Sequence, residues 1–434
     1  MVFGLNGDSQ QKINSPRRTV ELVLPDGRVF TGPRGATLAE LLGELPEWDN
    51  PPVMGAIVNG ELRELTYPIE MDARIRPVTM EEDDGARIYR RSITFLLEAA
   101  FEDLFPRKKM TLDHSVSAGG YYCQVSDGDP LTPQEVKNLL VRMQEMVVAD
   151  YPFERQLVPL EDAITYFRNR GLDDKVQLLK YRQKGYLVLY RLDDHQDYHH
   201  GYMLPSTGYL RWFDLQPIGE GFVLRFPRRG SPKTIEPMPS YPKLLSTFRQ
   251  YGNWLERLSI DSVGALNDAI TAGNIREIIL VSEALHDLQI IDISRHIAER
   301  SDEARIILIA GPSSSGKTTF SKRLSVQLLA QGFAPFPVEM DNYFVDREQT
   351  PRDDKGNFNF EALGAVDTHL LSDHLKRLLN GEEVRLPRYD FKDGKRLEGE
   401  LVRLKKDHMI ILEGIHGLNP RLLPEIDPAS TYKI

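Results

Sequence analysis

The chain of 434 residues holds a single cysteine, Cys123. That excludes an intrachain disulfide and suits a reducing compartment. No uninterrupted apolar stretch approaches the ~20 residues that a membrane-spanning helix needs. The opening segment, MVFGLNGDSQQKINS, lacks the apolar run of a secretory signal. Basic residues are outnumbered, 54 Lys and Arg against 64 Asp and Glu. A net charge of −10 argues against a protein whose main task is to coat nucleic acid, although a local basic patch remains compatible with it. There is no internal repeat, no low-complexity tract and no N-K-x-D for reading guanine. These absences lead to the expectation of a soluble, cytoplasmic protein with no membrane partner.

What is present fits roughly three domains at ~150 residues each. Residues 1–18 are polar and are expected to form a disordered tail. Residues 19–79 alternate in short runs, with turn signals at Pro25-Asp26-Gly27 and Asn59-Gly60 and a plausible helix N-cap at Thr37. The acidic cluster MEEDDGARIYRRS marks a boundary. Residues 80–230 read as mixed α and β, opening with the helix ITFLLEAAFEDLF and closing on the aromatic-rich strands GYLRWFDL and GFVLRFP. Residues 231–300 read as a proline-rich linker followed by helices, and 301–434 alternate strand and helix as a parallel sheet does. The fold class expected is therefore α/β multidomain.

Within the last segment, GPSSSGKTT spans Gly311, Pro312, Ser313, Ser314, Ser315, Gly316, Lys317, Thr318 and Thr319. It fits G-x-x-x-x-G-K-[ST], with a buried strand, RIILIA, before it and a helix after it. Glycines let backbone N–H groups turn onto phosphate oxygens, and the helix N-terminus adds partial positive charge. Lys317 is expected to reach the outer phosphates of ATP or GTP, and Thr318 to bind Mg2+. A second strand is expected to end at Asp341, placed to accept the proton of an acceptor hydroxyl. A third strand ends at Glu413, the expected acidic group near Mg2+.

These pieces, with MDNYFVDREQTPRDDKGNFNFEALGAVD, LPRYDFKDGKR and EGIHGLNP, resemble the uridine kinase and phosphoribulokinase group. The resemblance implies a P-loop kinase domain that moves a γ-phosphate to the 5′-hydroxyl of a nucleoside. It implies Asp341 as general base with Lys317 as its catalytic partner. It implies Glu361 on the ribose hydroxyls, Tyr389 and Phe391 around the base, and Arg396 closing the motif. Uridine and cytidine kinases carry a histidine three residues after the phenylalanine; here that position is Gly394. The chain ends at STYKI, read as the start of a fourth core strand, so the doubly wound parallel sheet is expected to be incomplete and the kinase domain partial.

The first 230 residues resemble the N-terminal half of threonyl-tRNA synthetase. VELVLPDGRVFTGPRGATLAELL and GAIVNGELRELTYPI resemble a TGS domain of β-grasp fold. RRSITFLLEAAFEDLF and DYHHGYMLPSTGYLRWFDL resemble the editing domain, an α+β unit. Its working residues are two histidines in H-S-x-x-H plus a cysteine and a histidine four apart. Here these positions hold Arg91, Phe95, His199 and Met203, so the old deacylase chemistry is expected to be gone. His114, His195, His199 and His200 have no paired Cys or Glu in the sequence and read as solvated or hydrogen-bonded side chains rather than metal ligands. Two other readings stay open: an RNA- or tRNA-binding regulatory protein with a nucleotide-sensing P-loop, and a phosphoribulokinase-like sugar kinase. Homo-oligomerisation is compatible with all three.

Overall fold

The computed structural model describes residues 17–44, 48–116, 118–239, 242–353 and 356–434. Most of the expected N-terminal tail, residues 1–16, lies outside the described residues, as do two positions of the Asp353–Gly356 turn. The chain divides into two compact units, Met1–Ala272 and Gly273–Ile434.

The first unit begins with a five-stranded sheet. β1 (Thr19–Val23) and β2 (Val29–Pro33) form a hairpin whose turn places Gly27 at φ 85°. The short helix α1 (Leu38–Leu42) starts in a capping box. The Thr37 hydroxyl accepts from Glu40 N–H, and the Glu40 carboxylate accepts from Thr37 N–H at 2.8 Å. β3 (Val53–Val58) and β4 (Glu61–Arg63) turn through Asn59 and Gly60, both at positive φ, and β5 (Ala73–Thr79) closes the set. The order is β2-β1-β5-β3-β4, with β1 and β5 parallel, which is a β-grasp arrangement. Alternation in β1 sends Val20 and Leu22 into a core shared with Leu38, Leu41 and Leu42 of α1.

The acidic boundary segment runs into the start of a long helix, α2 (Asp83–Leu104). Asp83 and Asp84 there complement the positive end of the helix dipole. The α+β body continues with β6 (Lys109–Ser115), β7 (Gly120–Asp127), α3 (Pro133–Ala149), β8 (Glu154–Pro159), α4 (Leu160–Asn169) and α5 (Asp173–Leu179). It then runs through β9 (Tyr186–Leu192), β10 (His195–Tyr198), β11 (Asp214–Ile218) and β12 (Gly221–Arg225). Two sheets result, β11-β12-β7-β6 and β10-β9-β8. Phe95 and Phe101 of α2 pack with Met143 of α3 and with Phe222 and Leu224 of β12. GYLRWFDL differs from the expected strand. Thr207–Tyr209 is a 3-10 turn and the strand starts only at Asp214. The Tyr89 hydroxyl donates to the Trp212 carbonyl at 2.7 Å and accepts from its N–H at 3.0 Å, so a side chain takes the backbone groups a ladder would use. Helices α6 (Pro242–Arg257) and α7 (Val263–Thr271) complete the unit.

The second unit holds α8 (Ile275–Glu299), β13 (Ile306–Ala310), α9 (Lys317–Ala330), β14 (Ala334–Glu339), α10 (Thr368–Leu379), the hairpin β15 (Glu383–Asp390) with β16 (Lys395–Arg403), β17 (His408–Gly414) and β18 (Thr431–Lys433). Its main sheet, β14-β17-β13-β18, is parallel throughout. Both faces are covered, so β13 is a continuous apolar run. Ile306 and Leu308 pack with Leu371 and Leu375 of α10, whereas Ile307 and Ile309 pack with Leu324 of α9 and Ile297 of α8. Among the described residues, no helix is long and apolar enough to cross a membrane.

Candidate functional site

The loop from Gly311 to Gly316 joins β13 to α9 at the C-terminal edge of the parallel sheet. Ser314 at φ 58° and Gly316 at φ 87° produce its curl, and Gly316 is the N-cap of α9. A Cβ on Gly311 would stand 2.7 Å from the Ser315 hydroxyl oxygen and 3.1 Å from Cγ of Lys317, so the loop closes only around glycine. Ser313, Ser314, Ser315, Thr318 and Thr319 are all exposed. The Lys317 ammonium donates to the Pro312 carbonyl at 2.7 Å. Thr318 donates its hydroxyl to Oε1 of Glu413 at 2.8 Å.

Glu413 sits on β17 between two strands, in register with Ile309 of β13 and Glu339 of β14. Its second oxygen, Oε2, is buried without a hydrogen-bond partner. Asp341 follows β14, which ends at Glu339 rather than at Asp341; the aspartate lies in the 3-10 turn Met340–Tyr343. Gly414, at the end of β17, leaves room for the Met340 side chain, whose Sδ and Cε would stand 2.7 Å from a Cβ there. The Asp341 residue reaches solvent, yet the protein packed around it raises its carboxyl above the usual range. Glu339 and Glu413 add to that rise and Lys317 opposes it. The edge thus collects one ammonium and three carboxylates. Together with the unpartnered Oε2 of Glu413, this surplus of hard oxygen donors fits a divalent cation such as Mg2+.

The remaining sequence-derived residues lie on the β15–β16 hairpin and the loops before α10. Tyr389 is 4% exposed, with its hydroxyl buried and unpartnered, whereas Phe391 is 59% exposed. Their rings meet at 5.1 Å, and both stand edge-on to Phe344. Glu361 is exposed and follows Phe360, which packs on Phe344; its carboxylate has no partner among the described residues. Arg396 donates to Asp367 at 2.9 Å, and Asp367 also caps α10 by accepting from Leu370 N–H. The Arg396 charge is therefore already engaged in fixing that helix.

Sequence reasoning passed over Asn342, Arg347 and Glu339. Asn342 links the two halves of the site: it donates to Glu339 at 3.1 Å and accepts from Tyr389 N–H at 3.1 Å. Arg347 lies where Gly394 leaves room, donating to the Phe391 carbonyl. Gly394 is at φ 68°, and a Cβ there would stand 2.7 Å from the Arg347 guanidinium. Glu339 was signalled by its two-residue spacing from Asp341.

In the first unit, the four positions matched to the editing domain are dispersed in role. Phe95 and Met203 are buried in the core, at 0% and 1% exposure. Arg91 donates to the Tyr202 carbonyl and, with Arg87, Arg90 and His199, lines a cavity of about 560 Å³. His114 is stacked between Tyr122 and Phe248, and His200 shares a hydrogen bond with the Tyr198 hydroxyl at 2.6 Å. His195 and His199, however, do have a glutamate between them: Glu98, contributed from α2.

Residues 306–424 match the family model described as Phosphoribulokinase / Uridine kinase family. The chain is 31% identical over 207 residues to a threonine–tRNA ligase of Symbiobacterium thermophilum, covering 47% of this chain and 31% of that protein. It is 32% identical over 206 residues to one of Methylibium petroleiphilum, covering 47% and 32%. The chain thus spans about a third of the length of these curated relatives. Among solved structures, a possible uridine kinase from Bacillus stearothermophilus is similar at 28% identity and a TM-score of 0.25, over 30% of this chain and 78% of that one. Residues 306–424 carry a domain of the phosphoribulokinase/uridine kinase family, and the N-terminal half of the chain is similar to threonine–tRNA ligases.

Proposed function

We propose that the second unit is a nucleoside kinase, transferring the γ-phosphoryl group of ATP or GTP to the 5′-hydroxyl of a nucleoside. The observation that carries this reading is the convergence of Lys317, Thr318, Asp341 and Glu413 at one sheet edge, beside the exposed ring of Phe391. Lys317 and the backbone N–H groups of the loop bind the outer phosphates. Thr318 and Glu413 would hold Mg2+, which when bound spreads the phosphate charge. Asp341 accepts the acceptor's hydroxyl proton as the new O–P bond forms and the bond to the bridging oxygen breaks, leaving the nucleoside diphosphate. Burial and the neighbouring Glu339 and Glu413 raise its carboxyl, which makes it a stronger proton acceptor than an ordinary aspartate. Phe391 offers the stacking face for a nucleobase and Tyr389 supports it from below; Glu361 is free to accept from ribose hydroxyls. Arg396 acts indirectly, by holding Asp367.

One observation favours a phosphorylated-sugar acceptor instead. Arg347 puts a guanidinium beside Phe391 and against Gly394, the position that is a histidine in uridine kinases. Nucleoside diphosphate release by the full chain, measured over a panel of nucleosides and pentose phosphates, separates the two. Turnover with nucleosides supports the proposal; turnover with pentose phosphates alone replaces it. Turnover with neither, while ATP still binds, overturns both.

A further inference from the structure

Helix α2 directs Glu98 and Glu102, one turn apart, toward His195 and His199, which are themselves four residues apart at β10. Glu98 Oε2 lies 3.4 Å from Nε2 of His199 and 3.8 Å from Nε2 of His195. Ligands held at about 2.0–2.1 Å around a tetrahedral ion stand roughly 3.3 Å apart, close to both distances. Asp197 completes the group: its carboxylate, with those of Glu98 and the His199 nitrogen, falls within 4.8 Å mutually.

The protonation pattern sharpens the case. Glu102 holds Nδ1 of His195 at 2.5 Å, the carboxylate–imidazole pairing that fixes a ligand's tautomer. Nε2 of His195 is then buried with no hydrogen-bond partner and faces the Glu98 carboxylate. A lone pair against a carboxylate is repulsive, so the gap calls for positive charge. The nearby cations are already committed: Arg170 pairs with Glu102 and Lys175 with Asp197. Glu98 has no Lys or Arg partner among the described residues.

We propose that Glu98, Asp197 and His199 form a binding site for a first-row divalent metal ion, Zn2+ by its mixed imidazole–carboxylate donors, with His195 as the adjoining imidazole. The site is separate from the positions matched to the editing domain except for His199; Arg91, Phe95 and Met203 supply no donor to it. Phe95 walls it, its ring 4.9 Å from that of His195 and 5.4 Å from that of His199. A cavity of about 270 Å³ lined by Glu98, Lys175, Asp197 and His199 gives an ion its way in. Sequence reading missed the site because its carboxylates come from a helix nearly a hundred residues upstream of the histidines.

The full chain, stripped with chelator and dialysed against Zn2+, is expected to retain one ion per chain by elemental analysis. Glu98→Gln and His199→Ala should weaken binding by more than 100-fold, and Glu102→Gln by about 10–100-fold as the loss of an outer partner does. X-ray absorption of the unmutated, Zn2+-loaded chain should show imidazole in a shell of nitrogen and oxygen without sulfur. That measurement decides the matter even where a variant misfolds. Absence of stoichiometric binding, a shell without imidazole, or undiminished affinity in well-folded Glu98→Gln and His199→Ala chains would overturn the assignment.

Discussion

Asp341→Asn tests the proposed chemistry at its centre. The change keeps the shape of the side chain, and no side-chain hydrogen bond of Asp341 is lost by it among the described residues. The fold should therefore survive. The sign of the stability effect follows from the raised carboxyl. Packing, Glu339 and Glu413 disfavour the ionised form in the folded state, so above the unfolded-state pKa the native protein carries a penalty that asparagine removes. The penalty fades as pH falls below that value, where both states are protonated. The variant should thus melt at the same temperature or slightly higher near neutral pH, with no gain in acid. Catalysis should respond in the opposite way. A positioned general base contributes about 10²–10⁴-fold, or roughly 3–5 kcal/mol of barrier. Nucleoside-dependent diphosphate release should fall by that factor while ATP affinity, from calorimetric titration, stays within a few-fold. In the unchanged protein, kcat/KM should decline as acid protonates Asp341, at a pH above the ordinary aspartate range, and this limb should vanish in the variant. Equal loss of binding and transfer would refute the reasoning and make Asp341 a ligand of the metal or a support of the loop. Loss of neither would place the acceptor elsewhere.

Lys317→Ala should lower ATP affinity roughly 10–100-fold, the worth of a charge-assisted hydrogen bond to phosphate, without shifting the melting temperature; an unchanged titration would refute the P-loop reading. The chain should not hydrolyse mischarged tRNA, because Phe95 and Met203 are buried apolar side chains and Arg91 is tied to the Tyr202 carbonyl. Hydrolysis abolished by His199→Ala would contradict this. Gly394→His, which restores the residue type of uridine kinases, should destabilise the second unit by about 1–3 kcal/mol, since it forces a side chain to φ 68° and into Arg347. An unchanged unfolding midpoint, or a gain in uridine turnover, would argue against that packing.

The β-grasp hairpins were legible because their turns carry their own chemistry, Asn59 and Gly60 taking positive φ and Thr37 closing a capping box within three residues. The phosphate loop was legible for the same reason. Gly316 takes positive φ at the start of α9, and a strand and a helix flank the Gly311–Gly316 loop in sequence. Where a residue's partner is distant, the reading weakened. Tyr389 and Phe391 look alike in the sequence, yet one is core and the other surface, because the β15–β16 hairpin turns Tyr389 inward onto Phe344. Arg396 is a basic residue closing a motif until Asp367, from the start of α10, takes its charge. GYLRWFDL has strand composition, but the Tyr89 hydroxyl, over a hundred residues away, consumes the Trp212 backbone groups. By itself the sequence determined which segments become strand, loop and helix wherever neighbours three or four residues apart settle the matter, and with them the P-loop. The tertiary structure alone decided which carboxylates meet. Glu339 and Glu413 pair only through the register of parallel strands, and Glu98 reaches His195 and His199 only because α2 packs across β10; pairings over such separations are set by burial of the intervening core, which no local pattern encodes.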